Sequence, residues 1–566
     1  MNEGGWPMKI FLRLLLLMTA LAGGHALATV RHVDPAHPAA QDAGEGDAKR
    51  PYRSLAYAAK RLRPGDTLNI APGTYRESMI FPDMSWSGVP TSVQPAVKGA
   101  EVLIKGSDQV GGWERVEPGL FVKRPWTVNS QQVFVDGEPL KQIGGTILNG
   151  FPDKPGHPMK KLHQGHGGIW PGRVPGGLKE MTQGSFYYDA EAQSLYVKIA
   201  PAETLEGRAV EVSVRPYLVL GKGLKALTLS NLRFQHANTT AVSQSGAISL
   251  AGDRIVLEGI DVSHVDGNGL DITGNENTVR GSRASHCGQV GMKLRGSGVK
   301  LIDSETNFNN TRGFNKWWEA GGAKFVGHGG LRDSEVRGHR AIGNNGDGIW
   351  FDWMNSNNRV HESVSAYNAG FGIQYEASQK GRIYNNLVFA NKQRGIYLPH
   401  SSGSVVAHNL VAKNGMEGVA VVDEGRSRNK PELRPRGNRV VGNILAWNSR
   451  SAVVLPAGLL ENVSDYNLYL SSREPPGFSL GWASKTSPVR KGLEAWREAS
   501  SQDMNSWSES FEIPKDLLLA LEKRQPDADW SGVMKLASRF SVLAADAVSG
   551  VPGAATAPQL TPGPRP

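Results

Sequence analysis

A glycine followed by alternating apolar and polar residues returns at a nearly constant interval along this chain, and that period limits its fold more than any other feature. Gly348-Ile349-Trp350-Phe351-Asp352, Gly372-Ile373-Gln374-Tyr375-Glu376, Gly395-Ile396-Tyr397-Leu398-Pro399 and Gly418-Val419-Ala420-Val421-Val422 share the pattern, with glycines stepping by 24, 23 and 23 residues. Upstream, Gly269-Leu270-Asp271-Ile272 and Gly291-Met292-Lys293-Leu294 continue it with a step of 22. Gly322-Ala323-Lys324-Phe325 follows after a longer step that carries an insertion. Between these segments Asn386, Asn409 and Asn443 recur, each followed five residues later by Asn391, Asn414 and Asn448, with Asn368 one period earlier. Period-2 alternation in short runs separated by turn residues is strand patterning. A repeat of this length predicts a solenoid with two or three short strands per turn: an all-β, right-handed parallel β-helix of the pectate-lyase-like kind, its stacked asparagines bonding one rung to the next. A leucine-rich repeat lacks its leucine scaffold here, and a propeller needs a longer period.

The remaining segments are placed around this spine. Residues 1–28 read as a signal peptide: Lys9 and Arg13 flank an apolar run from Leu14, and Ala26-Leu27-Ala28 supplies a small-x-small cleavage site. The mature protein is therefore expected to be secreted or periplasmic, with no membrane attachment after cleavage. Residues 29–105 form an amino-terminal cap and first coils, with a short amphipathic helix over Ser54–Leu62. Residues 106–215 break the period and read as an inserted β-rich subdomain. The β-helix core spans 216–475, a packing segment 476–548, and a Pro/Ala/Gly-rich disordered tail 549–566. The single cysteine, Cys287, excludes an internal disulfide and reads as a small buried apolar residue. The net charge of +10 is dispersed, which argues against a nucleic-acid partner and leaves a solvated surface or attraction to an acidic glycan.

Register turns the repeat into a map of side chains. Ile349, Phe351, Ile373, Tyr375, Ile396, Leu398, Val419 and Val421 face the interior, so the intervening positions point out of the coil. One outward row runs Asp271, Lys293, Lys324, Trp350, Gln374, Tyr397. The next runs Thr273, Arg295, Val326, Asp352, Glu376, Pro399, with His400 beside its end. Carboxylates, cations and aromatics on one face suit a carbohydrate partner. Asp352 and Glu376 occupy equivalent positions on adjacent coils, and strands lie about 4.7–4.9 Å apart. Their carboxyls are thus predicted roughly 5 Å apart, near the ~5–5.5 Å of retaining glycosidases and below the ~6.5–9.5 Å of inverting ones. Carboxylates so close cannot both ionise freely, which supplies a protonated acid beside a nucleophile. Trp350, Trp353, Gln374, Tyr397, His400, Lys293, Arg295, Lys324 and Glu319 are the candidate substrate-binding residues, Glu319 from the coil insertion. Lys324 near Asp352 also reads as an ordinary ion pair. No cofactor is called for; a calcium site is the alternative use of paired outward acids. His157, His163 and His166 lie in a Gly-rich basic loop, 154–172, without diagnostic zinc spacing.

Asn345-Gly346-Asp347-Gly348-Ile349-Trp350-Phe351-Asp352-Trp353-Met354, followed by Gly372-Ile373-Gln374-Tyr375-Glu376-Ala377-Ser378, resembles the catalytic region of glycoside hydrolase family 120, the β-helical β-xylosidase-like enzymes. The resemblance covers roughly residues 130 to 400 and implies Asp352 as nucleophile and Glu376 as acid/base. Ala-Ser-Gln-Lys-Gly follows Glu376 where that family is expected to carry a His-Gly-Pro stretch. Two other classes stay open on the residues alone. A polysaccharide lyase or uronan epimerase would draw a base from Lys293, Arg295, Lys324, His400 or Tyr397. A non-catalytic glycan-binding β-helix would need no carboxylate pair.

Overall fold

The computed structural model describes residues 29–83, 86–147, 174–327, 329–472, 474–482 and 488–540. The signal segment, the histidine-bearing loop 154–172 and the tail 549–566 lie outside them. Among the described residues, three long and largely parallel sheets of 13, 14 and 13 strands run the length of the molecule, each coil giving one strand to each sheet. The chain is a parallel β-helix. The residues expected to face inward do so: Ile349, Phe351, Ile373, Tyr375, Ile396, Leu398, Val419 and Val421 share one buried cluster. Phe325, Phe351 and Tyr375 form a rung-to-rung aromatic stack, with ring centroids 4.4 and 5.2 Å apart. Cys287 lies in the same core, and burial pushes its thiol pKa up.

The asparagines form the predicted ladder. The backbone N–H groups of Asn309, Asn344, Asn368, Asn391 and Asn414 each donate to the side-chain carbonyl of the asparagine one coil on, at 3.0–3.1 Å. Asn386, Asn409, Asn443 and Asn467 make a second such column. At these corners the strand hydrogen bonds lapse, and the amide side chains satisfy backbone groups that have no access to water. Asn391 Nδ2 donates to the Ser365 carbonyl at 3.0 Å, while Asn391 Oδ1 accepts from the Asn368 N–H at 3.1 Å. Asn391→Ala strands both groups, each costing ~1–3 kcal/mol. A loss of about 3 kcal/mol or more is expected in equilibrium denaturant unfolding; an unmoved midpoint would deny the ladder a stabilising role.

Most ladder steps are 22, 23 or 24 residues. Two are longer: 35 residues from Asn309 to Asn344, and 34 from Asn409 to Asn443. The extra residues precede one strand of the 14-stranded sheet, Gly321–Phe325, and follow another, Val419–Val422. Both insertions fold over the outside of that sheet, and the candidate site lies between them.

Between Lys105 and Val219 the chain leaves the coil and forms sheets of four and five strands, with an apolar cluster that includes Phe121, Val133, Phe186, Val197 and Val212. Arg312 of the first insertion ties this region to the coil, donating to the Gln131 carbonyl at 3.0 Å and to Gln142 Oε1 at 2.7 Å. The amino-terminal helix, α1 (Leu55–Arg61), is capped by the Ser54 hydroxyl, which accepts from the Tyr57 N–H.

The carboxy-terminal helices pack on two different surfaces of the coil. Only α2 (Leu493–Ser500) covers the last coil, its Trp496 ring stacked on Phe478 at 5.4 Å. Helices α3 (Lys515–Glu522) and α4 (Ser531–Ala537) lie along the side, where Leu517, Leu521, Trp530 and Val533 cover Phe389, Leu410, Ala412 and Ile444. The reason is in the third sheet: its outward positions are apolar over several coils and would otherwise expose a hydrophobic stripe.

Candidate active site

Six strands of the 14-stranded sheet build the site: β1 (Asn268–Thr273), β2 (Val290–Ser297), β3 (Gly321–Phe325), β4 (Asp347–Asp352), β5 (Ile373–Glu376) and β6 (Ile396–Pro399). Asp271, Lys293, Lys324, Trp350, Gln374 and Tyr397 are successive register partners across them. Asp352 and Glu376 are likewise partners, each the last residue of its strand. The residues that follow, Trp353 and Ala377, take left-handed φ values of 62° and 45°, as His400 does after Pro399 with 58°. This recurring corner turns the backbone sharply away and leaves the two carboxyls at the sheet margin. A left-handed non-glycine residue costs about 1–2 kcal/mol, and here the neighbouring rungs impose the same bend.

The two carboxyls have different surroundings. Glu376 is buried, and three donors converge on it: Arg426 Nη1 at 2.5 Å from Oε1, and Gln374 Nε2 at 2.9 Å and Trp350 Nε1 at 3.2 Å from Oε2. Burial and the adjacent Asp352 charge push its pKa up, against the pull of Arg426 and Lys324. Asp352 is partly open to solvent and pairs with Lys324, whose Nζ lies 3.2 Å from Oδ2. Lys324 itself is buried, its ammonium 3.6 Å from the centroid of the Trp350 ring and donating to the Trp318 carbonyl. Burial works against its charge, but Asp352 and Glu319 outweigh burial and raise its pKa.

Several expected binding residues are buried and paired with other side chains. The outward row points away from the coil interior, yet Lys293, Lys324, Trp350, Gln374 and Tyr397 are all buried, because the two insertions close over them. Glu319, from the coil insertion, lies inside the site. It is 2 % exposed, with its carboxylate 2.6 Å from Lys293 and 3.4 Å from Lys324. The two ammonium groups hold its pKa down despite burial. A carboxylate placed between two buried lysines offsets their charge. His400 is also covered: its Nε2 accepts from the Glu424 N–H at 3.2 Å and Nδ1 lies 3.4 Å from Asp423. Burial keeps its pKa low. Tyr397 donates its hydroxyl to Glu424. Arg295 turns two rungs away from Asp352 to pair with Asp271 at 2.6 Å. Trp353 remains at the margin, under Lys430 at 4.5 Å.

Arg426, Glu424 and Lys430 were not among the sequence candidates. They come from the second insertion, Asp423 to Asn438, whose trace in the sequence is the 34-residue step between Asn409 and Asn443. Asp347, at the start of β4, is a further buried acid, raised to about 7 by burial and held by the Phe371 N–H at 2.8 Å. A cleft of about 880 Å³ opens farther along the coil, lined by Arg394, Glu417, Glu424 and Trp482 among others; neither Asp352 nor Glu376 lines it. Among the described residues no three His, Cys, Asp or Glu side chains are grouped to hold a metal ion.

A family model described as "Right handed beta helix region" matches residues 218–411 and 296–443. With the sheet topology above, the molecule is a right-handed parallel β-helix. No curated protein matches the chain. Among solved structures it is similar to XylC, determined in complex with xylose, at 15 % identity and a TM-score of 0.59, covering 86 % of this chain and 87 % of that one. A protein described as a glycoside hydrolase aligns at 14 % identity over 78 % of this chain and 96 % of its own, with a TM-score of 0.47. The A-module of the Azotobacter vinelandii mannuronan C-5 epimerase AlgE6 aligns at 12 % identity over 79 % and 91 %, with a TM-score of 0.40. The likeness to XylC extends the shared fold across most of both chains.

Proposed function

We propose that this chain is an exported, carbohydrate-active enzyme, and specifically a retaining glycoside hydrolase with Asp352 as nucleophile and Glu376 as acid/base. The observation that carries the reading is the register pairing of Asp352 with Glu376 on adjacent strands in unlike surroundings. Strands in register lie about 4.7–4.9 Å apart, which supports a carboxyl separation near the ~5–5.5 Å of retaining enzymes. Asp352, open to solvent on one side and oriented by Lys324, attacks the anomeric carbon. Glu376 protonates the departing glycosidic oxygen, a glycosyl ester forms on Asp352, and Glu376 then takes a proton from the water that releases it. Trp350 supports both steps: one edge donates to Glu376 and the ring face holds Lys324. A chain of this fold solved with xylose makes a saccharide the first ligand to test.

Elimination or epimerisation fits these surroundings less well, since either needs an unprotonated base. Lys324 is held as an ammonium, Tyr397 is spent on Glu424 with its pKa pushed up, and His400 is buried with its Nε2 accepting from the Glu424 N–H. No cofactor or calcium enters the proposed steps, so turnover should survive EDTA. The candidate export segment precedes Thr29, and among the described residues no helix is long and apolar enough to cross a membrane.

The test is covalent trapping. A panel of 2-deoxy-2-fluoro aryl glycosides should inactivate the protein and leave a glycosyl adduct on the peptide that carries Asp352, located by mass spectrometry. An adduct on another carboxylate, or an unsaturated uronate product from polymers without any adduct, would sink the reading.

A further inference from the structure

The second insertion places a cation directly on the proposed acid. Arg426 Nη1 lies 2.5 Å from Glu376 Oε1, and its side chain is 43 % exposed while that of Glu376 is 8 % exposed. The other cations nearby differ: Lys293 and Lys324 are buried and committed to Glu319 and Asp352. Arg426 alone of these three can be reached by a solute. The insertion that bears it is basic on its outer part, with Arg428, Lys430, Arg434 and Arg436 against Glu432. Its acidic residues at the root are used to fold it: Asp423 accepts from the Gly425 N–H and the Ser427 hydroxyl, and Glu424 takes the Tyr397 hydroxyl.

The Arg426–Glu376 ion pair then poses a problem for a neutral substrate. Lys293, Lys324 and Arg426 are matched by Glu319, Asp352 and Glu376, and Asp271 is matched by Arg295. Asp347 keeps its proton up to about pH 7 and adds no charge below that. Buried His400 is neutral, and Tyr397 is a hydrogen-bond donor to Glu424. With Arg426 bonded to it, Glu376 is drawn toward its ionised form, which is the wrong state for a general acid. Protonating Glu376 leaves Arg426 without its bonded carboxylate, with Glu424 and Asp352 as its remaining acidic neighbours.

Resting on the hydrolase reading above, we propose that the substrate is an anionic sugar, a uronate, whose carboxylate takes Arg426 from Glu376. That exchange gives Arg426 a bonded carboxylate again while Glu376 is protonated. It couples recognition of the acidic sugar to arming of the acid: once Arg426 is withdrawn, burial and the Asp352 charge both favour the proton on Glu376. Arg426 is a specificity-determining residue in this scheme, bonded to the sugar rather than to the reacting atoms.

The experiment compares pairs of sugars that share ring stereochemistry and differ in the group at C5: glucuronate with glucose, galacturonate with galactose, mannuronate with mannose. Aryl glycosides of each give kcat/KM, and the free sugars give affinity by calorimetry, which needs no turnover. At least one uronate should surpass its neutral parent by about tenfold or more, the discrimination of one charge-assisted pair. Arg426→Gln should lower that uronate-to-neutral ratio by about tenfold, Arg426→Lys should restore part of it, and the alkaline limb of the kcat/KM profile should move in Arg426→Gln. Circular dichroism reports whether the variants fold; Arg426 is half-exposed, and the wild-type affinity comparison stands without them. If no uronate binds or reacts better than its parent, or if Arg426→Gln alters both members equally, the inference is overturned. If Asp352→Asn and Glu376→Gln leave turnover intact while a uronate still binds through Arg426, the hydrolase reading fails and the recognition stands.

Discussion

Asp352→Asn is expected to lower turnover on the order of 10⁴-fold for every glycoside, whereas Glu376→Gln is expected to lower it by about 10²–10⁴-fold in a manner that depends on the leaving group. The nucleophile is needed whatever departs. The acid is needed only in proportion to the basicity of the departing oxygen, so aryl glycosides with acidic phenols should hide most of its loss in the first step. They should then expose it in the second, where Glu376 serves as base, and azide should rescue Glu376→Gln by replacing the activated water. The pH profile follows from the direction of the shift. The acid works while protonated, so activity is present below the Glu376 pKa and is lost as pH rises through it. Because burial and Asp352 raise that pKa, the alkaline limb should lie above the ordinary glutamate range, and it should vanish in Glu376→Gln assayed with activated substrates. Steady-state profiles with matched phenols check both points. Equal loss across leaving groups, or rescue of the wrong variant by azide, would require the roles to be reassigned.

Much of this arrangement is readable from the period alone, for a physical reason. In a solenoid each rung repeats the one before it, so a spacing of 22 to 24 residues specifies which positions share a column before any coordinate is known. Asp352 and Glu376 fall into one column, and the structure makes them register partners. The same reading places Lys324 beside Asp352 and stacks the asparagines. It fails where the period is interrupted. Glu319 and Arg426 both belong to insertions, and an insertion has no neighbour rung to constrain it. Glu319, expected among the substrate-binding residues, is buried between Lys293 and Lys324; Arg426 carries no patterned context at all. Alternation also separates inside from outside the coil only. It does not tell an outward residue that meets water from one that an insertion covers, which is why His400 and Tyr397 proved to be buried.

Replacing Lys324 tests the buried charge chain as a unit. Lys293, Glu319, Lys324 and Asp352 alternate in sign, and all but Asp352 are nearly inaccessible. Lys324→Met leaves an excess negative charge on Glu319 and Asp352, and breaking such a pair costs about 3–5 kcal/mol. Asp352→Asn leaves an excess positive charge, at a smaller cost because that end of the chain meets solvent. The double variant leaves Lys293 with Glu319, a balanced pair. Its loss of stability should therefore fall short of the sum of the single losses by about 1–3 kcal/mol, measured by denaturant unfolding of all four proteins. Strict additivity would mean that Lys324 is held by its packing on Trp350 and not by charge. Activity separates from stability here: Lys324→Met should lose roughly 10²–10³-fold in turnover under conditions where it is fully folded, since Asp352 then lacks the ammonium that orients it. The alkaline behaviour gives a second reading. A lysine whose pKa is raised by folding stabilises the protein below its unfolded value, near 10.4, and loses that contribution as pH rises through the folded value. Wild type should thus shed stability at high alkalinity that Lys324→Met does not have to lose, and the gap between their unfolding midpoints should narrow there.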